Sequence, residues 1–250
     1  MTMPRCSGGV FDVEDLAGGT IHCWHFDLDE SLDGHEELLH ALDDNPRRRT
    51  APSNPLARRR SMLSRALLRV LVGRYLDVEP RSIELATGPH GKPRLRGSDG
   101  SHGLVFNASH TGRKGVLALA FDGDLGIDVE DWRRVGDVAG LLRRCFADSE
   151  RAHWESLEPS CQQAELFRFW TLKEAYCKAV GRGLALGLKR CVFDCTGSHP
   201  RLTEQPADCG DPDDWHFVEL AMPAGTSGAV AFNRPIRALR QFTLGARSAP

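Results

Sequence analysis

Two long helical stretches, one in each half of the chain, are each followed by a run of short strands, and this repeated order constrains the fold more than any other feature. In the first half Met62, Leu63, Ala66, Leu67, Val70, Leu71 and Tyr75 recur at helical spacing and predict a helix over 57–76. In the second, Phe169 to Leu184 is made largely of good helix formers. Gly181 falls where a C-terminal cap favours a left-handed residue, so this helix is expected to end near Val180. Strands are predicted at 20–28, 104–108, 115–121, 125–130, 191–194, 215–220, 228–232 and 238–244, with further helices at 32–42, 138–144 and 149–156 and an exposed loop at 197–214. Asp122-Gly123-Asp124 is expected to close a hairpin between 115–121 and 125–130. The plan repeats without any residue-level repeat. The architecture expected is α+β, with two similar lobes over 1–124 and 125–250; one larger α+β domain is the alternative.

At 250 residues either arrangement can bury a real core. No apolar run approaches the length of a bilayer span and the N-terminus has no apolar signal core, so a cytoplasmic protein with no membrane partner is expected. Eight scattered cysteines without a C-x-x-C pair predict reduced, buried thiols rather than zinc or disulfides. The net charge is only −2, yet charge is segregated: Cys6 to Pro46 holds eleven acids and no Lys or Arg, and Arg47 to Arg74 holds nine arginines and no acid. A cationic surface on a near-neutral protein points to one anionic ligand rather than to nucleic acid, with a solvated helix face as the alternative.

Glu174 and Lys178 lie four apart and share one helix face, while Phe169, Leu172, Tyr176 and Val180 can point to a core. Spacing alone reads more simply as a surface ion pair than as a site. Asp128 and Glu130 alternate on one strand and face the same way, where two carboxylates repel unless a cation or donors lie between them. Together with Glu174 they make an all-oxygen set suited to Mg²⁺; a structural acid cluster is the alternative. Lys92, His110, Lys173, Lys178 and the arginine block supply cations of the kind a polyphosphate requires.

Gly126-Ile127-Asp128-Val129-Glu130, followed some forty residues later by Trp170-Thr171-Leu172-Lys173-Glu174-Ala175 with Lys178, Gly181, Gly183 and Leu184, resembles the paired signature motifs of the 4′-phosphopantetheinyl transferases. Gly91-Lys92-Pro93 and Asn107-Ala108-Ser109-His110 resemble two further segments of that family, and Arg240-Gln241-Phe242-Thr243 is weakly similar to a tail segment. The order of elements is similar to the two-lobed pseudodimeric type, which implies a monomer. The resemblance implies transfer of the phosphopantetheine arm of coenzyme A to a serine of an apo acyl or peptidyl carrier protein, with release of 3′,5′-ADP.

By the same resemblance Asp128, Glu130 and Glu174 would hold Mg²⁺ on the pyrophosphate, and Lys178 would neutralise phosphate, with Lys173 as a further candidate. Ser109 and His110 would lie on the nucleotide, His110 at the 3′-phosphate. Arg60, Arg48 and Arg47 would join it there, and Lys92 would line the adenine pocket. Glu174 is the first choice and Glu150 the second for accepting the serine proton. Thr87 and Ala57 depart from residues that some members carry, which weakens the first-lobe contacts. Arg143, Arg144, Leu141 and Phe146 are docking candidates for the acidic helix of a carrier, with a plain amphipathic helix as the alternative. A pure coenzyme A binder and a Mg²⁺-dependent pyrophosphate hydrolase are the other readings.

Overall fold

The structure, a computed structural model, describes residues 6–7, 16, 18–29, 54–88, 90–96 and 103–244. The expected helix at 32–42, and Arg47 and Arg48, lie outside the described residues.

The first sheet has the order β1 (Cys6–Ser7), β12 (Ala238–Leu244), β2 (Thr20–Asp27), β6 (Lys114–Phe121), β5 (Leu104–Thr111). The second has the order β10 (His216–Glu219), β11 (Thr226–Phe232), β7 (Leu125–Asp131). Small two-stranded pairings join β3 (Leu85–Thr87) to β4 (Pro93–Leu95) and β8 (Val192–Asp194) to β9 (Arg201–Glu204). The long helices are α1 (Pro55–Leu76) and α4 (Pro159–Val180), with α2 (Val138–Cys145) and α3 (Asp148–Ser156) before α4.

Strand alternation stacks these pieces into layers. Along β2, Trp24 and Phe26 turn to one face and pack with Leu63, Leu67, Leu71 and Tyr75 of α1, while Ile21 and Cys23 turn to the other. That second face meets the second sheet through Val116, Ala118, Ile127, Val129 and Val230. The far face of the second sheet carries Ala229 and Ala231 and packs on Leu172, Ala175, Tyr176 and Ala179 of α4. The resulting order, helix, sheet, sheet, helix, is the α+β class expected.

Helix boundaries follow local chemistry. Asn54 caps α1, its Oδ1 accepting the backbone N–H of Leu56 at 2.9 Å, and Pro55 opens the helix. Gly181 ends α4 with φ 76, and its N–H donates to Cys177 O. Met62, expected in the α1 stripe, is 39% exposed.

Two expectations fail. Segments 115–121 and 125–130 do not form a hairpin: β6 hydrogen-bonds to β2 and β5, and β7 to β11. Asp122 (φ 53) and Gly123 (φ 143) carry the chain from one sheet to the other instead. The predicted loop at 197–214 contains β9, which pairs with β8. β12 also crosses back from the second half of the sequence and lies parallel to β2, with Phe242 opposite Trp24 in register and their rings stacked at 4.7 Å.

Candidate active site

β7 is an edge strand, and its register on β11 places Asp128 opposite Ala229, on the face that packs against α4. Strand and helix approach closely: a Cβ added to Gly126 would stand 2.0 Å from Ala175 O. Glycine at 126 is therefore what lets the helix lie against the acids two and four residues along.

At this seam Lys178 Nζ donates to Asp128 Oδ1 at 2.7 Å, to Ser109 Oγ at 2.9 Å and to Ile127 O at 3.1 Å. Ser109 Oγ donates in turn to Asp128 Oδ1 at 2.9 Å. Asp128 is buried, and among the described residues its Oδ2 has no hydrogen-bond partner. Burial is the largest influence on this carboxyl and raises it above the usual aspartate range, against Lys178 and Ser109.

Glu174 lies one helical turn before Lys178 and is half-buried. Burial first, then the charges of Asp128 and Glu130, push its carboxyl up to about 7. Glu130 is answered by Arg133, whose Nη1 lies 2.6 Å from Oε2. The expected repulsion among the three acids is thus met by Lys178 on Asp128, by Arg133 on Glu130, and by an elevated pKa on Glu174. Among the described residues no three or more His, Cys, Asp or Glu side chains stand close enough together to hold a metal ion by themselves.

The remaining expected site residues divide. Lys92 Nζ donates to Leu125 O at 3.0 Å and Ala179 O at 2.8 Å, so its head group ties the 90–92 turn to the start of β7 and the end of α4. Burial lowers its pKa. Arg60 is held by Asp29, Nε to Oδ1 at 2.6 Å. His110 is exposed at the end of β5.

Lys173 and Glu150 are corrected. Lys173 Nζ pairs with Glu150 Oε2 at 2.8 Å, both side chains have no exposure, and the ammonium also donates to the carbonyls of Leu188 and Cys191. Glu150 accepts the N–H groups of Phe193 and Ala147 as well. With every polar atom committed inside the second core, neither reaches a ligand at the Asp128–Lys178 seam. Phe146 is likewise buried and offers no docking surface, whereas Arg143 and Arg144 are exposed.

Sequence reasoning gave Asn107 only as part of a motif and passed over Thr111. Asn107 Oδ1 accepts the Ile127 N–H at 2.9 Å, Ser109 Oγ the Val129 N–H at 3.4 Å, and Thr111 Oγ1 the Asp131 N–H at 3.1 Å. Three alternate side chains of β5 thus serve the outer edge of β7, where the missing hairpin partner would have lain. The signal was present as Asn107, Ser109 and Thr111 at every second position of β5.

A carboxylate and lysine cluster at a seam between sheet and helix is the kind of centre that handles phosphate-bearing ligands. Residues 124–232 match the 4′-phosphopantetheinyl transferase superfamily, and residues 55–121 match the family described as 4′-phosphopantetheinyl transferase, N-terminal. The 4′-phosphopantetheinyl transferase HetI of Nostoc sp. is 33% identical over 218 residues, covering 86% of this chain and 89% of the relative. A putative 4′-phosphopantetheinyl transferase of Synechocystis sp. is 31% identical over 175 residues, covering 64% and 71%. The human L-aminoadipate-semialdehyde dehydrogenase-phosphopantetheinyl transferase is 30% identical over 190 residues, and this chain spans 61% of its length. The chain belongs to the 4′-phosphopantetheinyl transferase superfamily, and it is a transferase of that class. Among the described residues no helix is long and apolar enough to cross a membrane.

Proposed function

We propose that this transferase moves the phosphopantetheine arm of coenzyme A onto a serine of an apo acyl or peptidyl carrier protein and releases 3′,5′-ADP. The observation that carries the reading is the seam itself: Lys178 and Glu174, one turn apart on α4, face Asp128 of β7, whose buried Oδ2 is unpartnered. Asp128, Glu130 and Glu174 supply oxygen donors only and fit Mg²⁺, and that unpartnered oxygen supports the fit. When bound, the cation would supply charge neutralisation on the pyrophosphate.

The chain's own residues account for the rest. Lys178, part-exposed while it holds Asp128 and Ser109, sets a positive charge beside the phosphate that departs with 3′,5′-ADP and turns to it when the ligand enters. Arg60 and His110 read the 3′-phosphate, together with Arg47 and Arg48, and the Lys92 turn borders the adenine. The carrier serine Oγ forms its bond to the β-phosphorus as the bond from that phosphorus to the 3′,5′-ADP oxygen breaks. The serine proton passes to Glu174, which shares the seam with Asp128 and Lys178. Exposed Arg143 and Arg144 on α2 meet the acidic helix of the carrier. The protein acts as a monomer of two lobes, 1–124 and 125–250, in the cytoplasm, with β12 of the second contributed to the first sheet.

Incubating the protein with coenzyme A, Mg²⁺ and an apo carrier should add about 340 Da to the carrier, the mass of the transferred arm. Consumption of coenzyme A with an unmodified carrier would point to a hydrolase, and binding without turnover to a coenzyme A binder.

A further inference from the structure

We propose that Ser109 is a positioning residue for Asp128: its hydroxyl and Lys178 hold Oδ1 of that carboxylate, which reserves Oδ2 as the ligand for a divalent cation. This rests on the cation reading of the preceding subsection. It departs from a nucleotide contact for Ser109, because every polar capacity of the hydroxyl is spent inside the protein. It donates to Asp128 Oδ1 at 2.9 Å, accepts from Lys178 Nζ at 2.9 Å, and accepts the Val129 N–H at 3.4 Å. Ser109 is itself buried. A carboxylate with one oxygen fixed by two donors and the other bare has one orientation in which to meet a cation, and outer partners of this kind commonly set ligand geometry.

The strand beneath is fixed in the same way. Asn107 and Thr111 take the N–H groups of Ile127 and Asp131, on either side of the Ser109 rung at Val129. Asp128 and Glu130 each therefore sit between two residues whose backbone is pinned from the first sheet. Lys178 completes the set from α4 by donating to Ile127 O at 3.1 Å. β11 pairs with one edge of β7, and the N–H groups on its other edge are satisfied by side chains rather than by a second strand.

The test measures Mn²⁺ binding by electron paramagnetic resonance on the full chain saturated with coenzyme A and without carrier, alongside affinities for coenzyme A and dephospho-coenzyme A. Ser109→Ala should weaken Mn²⁺ by about 10-fold or more, as loss of a ligand-orienting partner does, and leave the ratio of the two nucleotide affinities unchanged. Ser109→Thr, which keeps the hydroxyl in the manner of Thr111, should restore Mn²⁺ binding. A Ser109→Ala protein that binds Mn²⁺ like the parent but loses preference for coenzyme A over dephospho-coenzyme A overturns the positioning role and makes Ser109 a 3′-phosphate contact. If the parent binds no Mn²⁺, or Asp128→Asn binds it equally well, the cation reading itself fails and the proposal falls with it.

Discussion

Lys173 and Glu150 form an ion pair at 2.8 Å with neither side chain exposed, inside the core that α4 shares with the second sheet. A buried charge whose partner is removed is far more costly than the pair removed together. Lys173→Met should therefore destabilise the protein by about 3–5 kcal/mol, and the double variant Lys173→Met/Glu150→Gln by much less than the two single losses summed. Denaturant unfolding of the four proteins checks this. Folded Lys173→Met should keep its coenzyme A affinity, and a selective loss of that affinity would return Lys173 to the phosphate.

Gly126→Ala drives a Cβ to within 2.0 Å of Ala175 O and 2.5 Å of Ala179 N. Both are backbone atoms of α4, so the helix must move as a body. A loss of about 3 kcal/mol is expected, together with reduced transfer, because the acids of β7 would separate from Glu174 and Lys178. Gly136→Ala, where an added Cβ meets nothing within 4 Å, is the neutral control. Thermal unfolding and carrier mass gain report the two effects.

Glu174→Gln should abolish transfer, with at least about a 100-fold fall in rate, while the fold persists. Removing one of three neighbouring acids relieves repulsion, so the unfolding midpoint should stay level or rise. Near-normal transfer in this variant would remove Glu174 from the reaction.

His25 of β2 donates from Nε2 to Gln241 Oε1 of β12 at 2.9 Å, and burial lowers its pKa from the ordinary 6.5. The folded state holds this ring neutral while the unfolded chain protonates near 6.5, so its contribution is complete above that pH and is lost as pH falls through the lower folded value. Unfolding midpoints should drop on acidification below about 6.5, and less so in His25→Gln.

Local patterns made the elements legible in the sequence, and long-range partners did not follow from them. The stripe from Leu63 to Tyr75 gave the first long helix and the stop at Gly181 the end of the second, because those signals lie within one element, while the start of α4 at Pro159, ahead of the expected Phe169, was missed. Alternation placed Asp128 and Glu130 on one face, as the register on β11 has it. The turn at 122–124 misled because tight-turn residues serve a sheet-to-sheet crossing as well as a hairpin. What fills the free edge of β7, the side chains of Asn107, Ser109 and Thr111, comes from a distant strand. Lys173 misled for another reason: its place in a charged motif reads as a phosphate contact, and only the enclosing core around Glu150 reveals it as interior.

The return of β12 to a place between β1 and β2 sets an order of events at the ribosome. Until residues 238–244 have been synthesised, β2 lacks its partner on that side, and a sheet whose other strands come from residues 6–121 is completed only by a segment more than a hundred residues later. An unpaired strand edge is a template for strand-to-strand association, so chains truncated before 238 are expected to aggregate more readily than the full sequence.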